Sequence, residues 1–320
     1  MKTKNEALML LREATTSEEA AVAFFESRLW GEHPRCPRCG GLRVAQVRGK
    51  DGKREKAMRW RCKDCLRLHS VRTGTVLADS RLPLTAWAHI FWRACASKKG
   101  CSALQISREL GITHTAALFA LNRIRFGVVE SPDVPRLTGT CEADEAFVGG
   151  KWRRRNNEAP GSPTLKRGPK GNLAPVIGVV QRSGHVRLRH VTKVTALTLR
   201  HFLQSNMRPS AVLMTDDFPK YLPVGRTFAA HDTVNHTRKE YARGDVNTNS
   251  IESVFALMKR SVYGVYHSVS QEHLHRYIAE WQFRYNARKV SDAERVDLAI
   301  RSAQGKRLLY REPSSPARAA

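Results

Sequence analysis

No stretch of the chain approaches the roughly 18 consecutive apolar residues that a membrane-spanning helix needs. The first residues, MKTKNEALML, also lack the long apolar core and the small-residue cleavage site of a secretory signal peptide. These two absences argue against a membrane-spanning or exported protein. They lead us to expect a protein of the reducing cytoplasm.

Acidic residues are scarce: 29 Asp and Glu stand against 55 Lys and Arg, which gives a formal net charge of +26. This excess predicts a polyanionic partner, with nucleic acid as the first candidate and an anionic membrane surface as the second. The 320 residues are enough for about two or three domains. Hydrophobic residues make up 41% of the chain, which suffices for a substantial buried core.

Seven cysteines in a reducing compartment favour a metal site or free thiols over disulfides. The stretches CPRCG and CKDC form two CxxC pairs, Cys36 with Cys39 and Cys62 with Cys65. Two such pairs supply the four thiolates of a closed, tetrahedral zinc site, so we predict a zinc ribbon. Unrelated thiol pairs or a redox CxxC are the alternatives, but no βαβ pattern surrounds either pair.

A closed zinc site is structural, because it holds together a fold too small for its own core. His69 follows Cys65 by four residues and could replace a ligand, although four cysteines already fill the site. The other cysteines, Cys95, Cys101 and Cys141, are predicted to be buried packing residues. The ribbon segment is rich in basic side chains, which suit contacts with a DNA backbone. These are Arg35, Arg38, Arg43, Arg48, Lys50, Lys53, Arg54, Lys56, Arg59 and Arg61.

Residues 101–125 have the pattern of a helix-turn-helix, with an apolar helix, Gly111 at the turn and a second helix that begins with threonine. Thr113, His114 and Thr115 would open the second, recognition helix. A plain helical hairpin is the alternative, because amphipathic helix pairs joined at a glycine are common.

The C-terminal half mixes strand and helix patterns, which predicts an α/β fold. The predicted strands cover 139–150, 174–191 (two strands) and 211–217, and the predicted helices cover 196–207, 247–263 and about 270–288. The basic, Gly- and Pro-rich segment 151–172 is predicted to be a mobile loop.

Five domains or segments are predicted from these patterns. They are N-terminal helices at 1–30, a zinc ribbon at 31–78, a helix-turn-helix-like region at 79–130, a catalytic α/β domain at 131–290 and a basic, partly disordered tail at 291–320.

Three acidic residues stand on predicted elements in a suggestive order: Asp144 on a strand, Asp216 at a strand end and Glu252 near the start of a helix. Strand alternation puts Glu142 on the same face as Asp144, and Glu145 on the opposite face. A strand acid, a strand-end acid and a helix acid are what an RNase H-like site needs. There, hard oxygen ligands hold two Mg²⁺ ions about 4 Å apart for phosphoryl transfer.

Each acid also has an ordinary structural explanation. Asp144 could pair with one of the many arginines. Asp216 could cap the following turn, with Asp217 as its solvated neighbour. Glu252 could lie on the solvated face of an amphipathic helix, together with Lys259 two turns further on. The joint order of the acids, their element types and the charge of the chain favour the catalytic interpretation, in which Lys259 approaches a DNA phosphate.

The chain resembles the DDE transposases of bacterial insertion sequences, in the branch that carries an N-terminal zinc ribbon and an ISXO2-like transposase domain. The resemblance covers nearly the whole chain from about residue 20 to residue 289. Its matching stretches, in order, are CPRCG with CKDC, TGTVL, EADEAFVGGK, PVIGVVQRSG, TDDFPKY, TNSIESVFALMKRSVYGVYHSVS and HLHRYIAEWQFRYNARK. It implies an RNase H-like mixed-sheet catalytic domain, preceded by the ribbon and a helical DNA-binding region.

The resemblance also implies an enzyme that binds terminal inverted repeats, cuts DNA strands and transfers 3′-hydroxyl ends to target DNA. Asp144, Asp216 and Glu252 would bind Mg²⁺ or Mn²⁺, with Lys259 as their basic companion. Members of this branch vary at the third position, so Asn249 is an alternative ligand there. Glu252 is favoured because a carboxylate binds Mg²⁺ better than an amide does.

The expected partner is double-stranded DNA, as element ends and as chromosomal or plasmid target in a bacterial cytoplasm. A homo-oligomer is expected in the DNA complex, and no membrane partner is expected. A non-enzymatic DNA-binding regulator is the alternative from another class, although it would have no use for the three acids. A folded but decayed transposase is the other alternative, although the triad is intact in the sequence.

Overall fold

The computed structural model describes residues 4–131, 133–149, 173–235, 240 and 242–309. The predicted mobile loop at 151–172 and the distal part of the predicted tail, 310–320, lie outside the described residues.

Ten α-helices and ten strands can be assigned in the described part of the chain. The helices are α1 Lys4–Ala14, α2 Glu18–Leu29, α3 Leu84–Ala96, α4 Ala103–Leu110, α5 His114–Gly127, α6 Ala196–Asn206, α7 Leu222–Gly225, α8 Asn249–Ser261, α9 Gln271–Asn286 and α10 Asp292–Ser302. The strands are β1 Val44–Gln46, β2 Trp60–Cys62, β3 Leu68–His69, β4 Thr140–Val148, β5 Ala174–Gln181, β6 Val186–His190, β7 Val212–Asp216, β8 Ala230–Val234, β9 Ala242–Arg243 and β10 Val246–Asn247. None of the described helices has the length and apolarity to span a bilayer.

The chain divides into two compact units. The terminal unit contains residues 1–129 and 287–320, and the central unit contains residues 130–286. The terminal unit therefore combines both ends of the chain.

The central unit is built on a five-stranded mixed sheet in the order β6-β5-β4-β7-β8. Strands β4, β5 and β6 form an antiparallel meander, and β7 and β8 add to β4 as parallel strands. This is the strand order of an RNase H-like domain. The predicted mixed α/β fold class is confirmed.

The two faces of this sheet belong to two separate hydrophobic cores. Ala146 and Val148 of β4 lie in the core that contains residues of α8 and α9. Cys141 and Ala143 lie in the core that contains residues of α6. Because strand residues alternate between faces, the even-numbered positions of β4 face α8.

The edge strand β6 is protected by side-chain amides of α9. The backbone N–H of Val186 donates to Asn286 Oδ1 at 2.8 Å, and that of Leu188 donates to Gln282 Oε1 at 2.7 Å. An edge strand otherwise offers these groups to another chain. The amides therefore close one edge of the sheet and fix α9 to it.

Helix α8 crosses the sheet over Gly178, which pairs with Asp144 in the β4–β5 ladder. A Cβ atom at position 178 would lie 2.8 Å from Leu188 Cδ2, 2.9 Å from Phe255 Cζ and 3.0 Å from Ile251 Cδ1. A core at crystal-like density has no room for such contacts. The missing side chain therefore sets how closely α8 packs on the strands beneath it.

The first part of the segment predicted as a basic, partly disordered tail, 291–320, forms the ordered helix α10, with a capping box between Ser291 and Glu294. Val296, Ala299 and Ile300 of α10 are buried. The amphipathic pattern of this stretch is short and lies among many charged residues. The sequence therefore predicted a tail and not a helix.

Polar contacts join α10 to the N-terminal helices of the terminal unit. Arg28 Nε donates to Asp297 Oδ1 at 2.6 Å, and Arg295 Nη1 donates to the Cys95 carbonyl oxygen at 3.1 Å. Helix α10 is therefore part of the core of this unit.

Replacing Gly178 with alanine should lower the free energy of unfolding by about 1–3 kcal/mol, the usual cost of an extra methyl group in a packed core. Urea unfolding followed by tryptophan fluorescence measures this. Gly264→Ala is the matched control, because nothing lies within 4 Å of a Cβ at position 264. Equal stability of the two variants would contradict the close packing of α8.

Candidate active site

The four predicted zinc ligands come together in the ribbon formed by β1, β2 and β3. The Sγ atoms of Cys36 and Cys65 are 3.7 Å apart, and those of Cys39 and Cys62 are 3.6 Å apart. A tetrahedral ion with Zn–S bonds of about 2.3 Å separates its sulfur ligands by about 3.8 Å. The quartet therefore fits a structural zinc ion.

The other candidate thiol and imidazole ligands are placed elsewhere. His69 is buried with its ring edge-on to Trp30, at 5.7 Å between ring centroids, and it is not part of the quartet. Cys95, Cys101 and Cys141 are buried and lie outside the quartet, as predicted.

The predicted helix pair is present as α4 and α5. Gly111 ends α4 in the left-handed conformation, with φ of 63°. Thr113 caps α5 by accepting a hydrogen bond from the Ala116 backbone N–H at 3.2 Å. Thr113, His114 and Thr115 are exposed. The opening turn of the second helix is therefore accessible to a partner.

Asp144 and Asp216 arise from neighbouring strands. Glu142 of β4 pairs with Met214 of β7 in a parallel ladder. Continuing this register by two residues sets Asp144 beside Asp216 at the end of β7. Neighbouring strands lie about 4.8 Å apart, so the side chains of Asp144 and Asp216 leave adjacent strands close to each other. Both side chains are on the face of the sheet that α8 covers.

The electrostatics of Asp144 show that the neighbouring acids lie close enough to affect it. Burial raises the pKa of Asp144 most, and together with the charges of Glu145, Asp216 and Glu252 it brings this pKa to about 7. A hydrogen bond from the Glu145 backbone N–H to Asp144 Oδ1, at 2.7 Å, only partly offsets this. The fold thus collects the three predicted acids and adds Glu145 from the opposite face.

Asp216 also has the ordinary role considered for it. Its Oδ1 accepts a hydrogen bond from the Phe218 backbone N–H at 3.2 Å, which caps the turn after β7. The turn cap and the place in the acidic group are compatible, because a carboxylate can accept several bonds at once.

The first turn of α8 carries both candidates for the third ligand. Glu252 is exposed, and its Oε1 accepts a hydrogen bond from Thr248 Oγ1 at 2.9 Å. Asn249 is exposed at the first helical position, where its backbone N–H donates to Asn247 Oδ1 at 3.3 Å. The charge of Glu252 contributes to the raised pKa of Asp144, and the choice between the two ligands stays a prediction.

Lys259 lies two turns beyond Glu252 on the exposed side of α8. The opposite side is buried against the sheet, where Ile251, Phe255 and Met258 belong to the core. Exposure alone also suits a solvated helix face, so a role for Lys259 in the chemistry stays a prediction.

The acidic group is more open than the cysteine quartet. Among the described residues, the four cysteines are the one set of three or more His, Cys, Asp or Glu side chains that lie close enough together to share a metal ion. An open arrangement is compatible with Mg²⁺, which keeps waters and substrate phosphates among its ligands. Burial and mutual repulsion of carboxylates are also conditions that a divalent cation relieves. The donor set therefore fits such an ion.

Sequence reasoning left several residues beside the acids without a role. Glu142 is fully buried and bonded to Arg182 and Ser250. Tyr221 donates its hydroxyl to Glu145 Oε2 at 3.0 Å. Strand alternation placed Glu142 and Glu145 on their faces, but their partners are distant in sequence and left no local signal.

Two family models match the chain. A transposase zinc-ribbon domain matches residues 16–67, and an ISXO2-like transposase domain matches residues 136–286. An "uncharacterized protein in transposable element ISH50" of Halobacterium salinarum is 26% identical over 296 residues, which cover 90% of this chain and 97% of that protein.

The fold and the site are those of an RNase H-like α/β protein with a zinc ribbon and an acidic group on its sheet. The chain belongs to the insertion-sequence transposases that carry an ISXO2-like transposase domain and a transposase zinc ribbon. The resemblance in the sequence motifs is thereby confirmed.

Solved structures with weak similarity include two nucleoprotein assemblies. A chain of the simian T-cell lymphotropic virus intasome in complex with PP2A regulatory subunit B56 gamma is 17% identical, with a TM-score of 0.29 over 57% of this chain and 64% of that chain. The Mos1 transposase paired-end complex with left transposon end is 13% identical, with a TM-score of 0.28 over 63% of this chain and 70% of that chain. Scores this low carry no argument, and the fold assignment rests on the strand order.

Cys62→Ser should release zinc and unfold the ribbon, because the binding energy of a structural zinc is folding energy for so small a fold. The central unit should stay folded, since its cores contain no ribbon residue. Elemental analysis should find about one zinc per wild-type chain, and limited proteolysis locates the unfolded part. Cys101→Ser is the control, as a buried cysteine outside the quartet. Zinc-free wild-type protein would contradict the ribbon.

Proposed function

We propose that this chain cuts DNA at the ends of its insertion sequence and joins the freed 3′-hydroxyls to target DNA by two-metal phosphoryl transfer. The observation that carries the proposal is the setting of Asp144, where burial and the charges of Glu145, Asp216 and Glu252 raise its pKa to about 7. Such perturbed groups cluster at functional sites. A DNA-binding regulator without enzymatic activity would gain nothing from holding these like charges together.

Asp144, Asp216 and Glu252 are the proposed ligands of Mg²⁺ or Mn²⁺, with Asn249 as the alternative to Glu252. Bound there, the ions would lower the pKa of the nucleophile and stabilise charge on the transferred phosphoryl group. The residues of this chain hold three hard oxygen donors on one face of the sheet. No covalent bond between enzyme and DNA is needed.

Lys259 is proposed to hold a DNA phosphate near the acids. It is exposed on the side of α8 that carries Glu252. A lysine is a flexible point charge, so its contact positions the DNA strand without reading its sequence.

The terminal unit is proposed to recognise the terminal inverted repeats. The first residues of a recognition helix usually contact base edges in the major groove, and here Thr113, His114 and Thr115 are the exposed ones. The exposed ribbon arginines Arg35 and Arg38 would contact phosphates, in keeping with the net charge of +26. A homo-oligomer is proposed because two element ends must be held in one complex.

The test of the acidic site is Mg²⁺-dependent cleavage and strand transfer with the ends of the element. Glu252→Gln should reduce both steps by at least about 100-fold, because metal ligation supplies several kcal/mol of transition-state stabilisation. Lys259→Ala should reduce the rates by about 10-fold to 100-fold, since it loses a positioning contact. DNA binding by both variants, measured by fluorescence anisotropy, should change little.

Asn249→Ala is the control that separates the two candidate ligands. It should retain cleavage and strand transfer if Glu252 is the third ligand. Loss of activity in Asn249→Ala together with full activity in Glu252→Gln would identify Asn249, one turn earlier in α8, as the third ligand. If all three variants keep wild-type rates, the proposed acidic site is wrong.

Metal affinity should depend on pH because of Asp144. Burial and neighbouring acids hold a proton on Asp144 up to about pH 7, and a metal ion must displace this proton. The dissociation constant for Mn²⁺ should therefore rise about tenfold for each pH unit below 7 and level off above it. Calorimetric titration of the DNA-free protein between about pH 5.5 and 8.5 tests this.

The same shift in pKa affects stability without metal. Between pH 3.8, the usual pKa, and about 7, the folded state holds more protons at Asp144 than the unfolded chain does. The contribution of Asp144 to stability is therefore lost as the pH rises through this window. Asp144→Asn is the control, since it should abolish both pH effects. A Mn²⁺ affinity that is flat across the range would contradict the prediction.

A further inference from the structure

Glu142 is a carboxylate with 0% exposure in the middle of the central unit. Burying a charge costs several kcal/mol unless donors surround it. Glu142 Oε2 accepts from the backbone N–H groups of Ser250, at 2.7 Å, and Ile251, at 3.2 Å. Glu142 Oε1 accepts from Ser250 Oγ at 3.0 Å and from Arg182 Nε at 2.7 Å. Three of these four bonds come from the first turn of α8.

The residue at the N-cap position of α8 provides no side-chain cap. Thr248 stands at the capping position but makes no capping bond, and its hydroxyl donates to Glu252 instead. The first N–H groups of a helix have no partner inside the helix, and a carboxylate there also meets the positive end of the helix dipole. Glu142, 108 residues earlier in the chain, therefore supplies the missing cap.

Arg182 extends this arrangement to the segment that leads into α8. While its Nε holds Glu142, its Nη2 donates to the carbonyl oxygens of Asp245, at 2.7 Å, and Asn247, at 3.2 Å. Asn247 ends β10, and α8 begins at Asn249. The chain is thus fixed to the sheet both before and after it enters the helix.

We propose that Glu142 and Arg182 form a latch whose function is to position Glu252 against Asp144. Glu142 precedes Asp144 by two residues on β4, and Ser250 precedes Glu252 by two residues on α8. The latch joins the two elements next to both acids, so it sets the separation of the two carboxylates. The inference rests on the proposed function, in which these acids bind metal, and Glu142 and Arg182 themselves touch neither metal nor DNA.

Metal affinity of the full-length, zinc-loaded protein without DNA tests the latch. Mn²⁺ binding followed by electron paramagnetic resonance should weaken by about 10-fold to 100-fold in Glu142→Gln, the usual cost of removing a residue that orients a ligand. The amide keeps the size of the side chain but loses the charge and one acceptor. Glu280→Gln is the matched control, because Glu280 is also buried and paired with an arginine, Arg284, in the same unit.

Hydrogen exchange provides a readout independent of metal. The amides of Ser250 and Ile251 should exchange faster in Glu142→Gln than in the wild type, while those of β4 stay protected. Glu280→Gln should leave both sets unchanged. A purely structural role would instead raise exchange across the whole sheet.

Two milder variants keep the latch testable if Glu142→Gln does not fold. Ser250→Ala removes one of the four bonds, and Arg182→Met removes the bridge to Asp245 and Asn247. Each should weaken Mn²⁺ binding by about 3-fold to 10-fold, with faster exchange at the start of α8.

The outcomes separate the latch from the proposed function. Weaker Mn²⁺ binding in Glu252→Gln but unchanged binding in the latch variants would overturn the latch alone. Unchanged Mn²⁺ binding in Glu252→Gln would overturn the role of Glu252 in the proposed function. Equal losses of Mn²⁺ affinity in Glu142→Gln and Glu280→Gln would show that Glu142 only stabilises the fold in general. That result would overturn the latch.

Discussion

The close packing of α8 on β4 and β5 is the constraint on which the central unit depends. Gly178 leaves the space that Ile251 and Phe255 fill, and Glu142 fixes the start of the helix above the same strands. Moving the helix outward would uncover the core and break the cap together. Asp216 and Glu252 can affect Asp144 because this packing brings the start of α8 close to β4 and β7.

Strand β4 carries two acids, two residues apart on one face, in opposite electrostatic settings. Glu142 is enclosed by four donors and the start of a helix. Asp144 is surrounded by the charges of Glu145, Asp216 and Glu252, and its pKa rises to about 7. The first acid is surrounded by hydrogen-bond donors, whereas burial and neighbouring like charges destabilise the ionised form of the second. The two carboxylates therefore differ chiefly in their neighbours, and the proposed function gives a catalytic role only to Asp144.

The features that the sequence predicted are local ones. Cysteine spacing predicted the ribbon, and alternation along 139–150 predicted the strand that carries Asp144. The Glu142 cap on α8 joins residues 108 positions apart, and neither segment contains a local sequence pattern that predicts it. Helix α10 was missed for a related reason, since its buried side is defined by partners such as Arg28, far away in the chain. The acidic candidates were found by type and order, but the choice between Glu252 and Asn249 depends on three-dimensional placement.

The net charge of +26 and the acidic group have opposite electrostatic effects on a DNA substrate. Positive charge over most of the chain attracts a polyanion, and the acids repel the phosphate that must react. The repulsion is strongest where burial lowers the dielectric, which is also where Asp144 lies. Two divalent cations between carboxylates and phosphate would turn this repulsion into attraction on both sides. In the proposed function, the acidic group is therefore a site that DNA can approach only together with its metal ions, which ties substrate positioning to the ions that the chemistry requires.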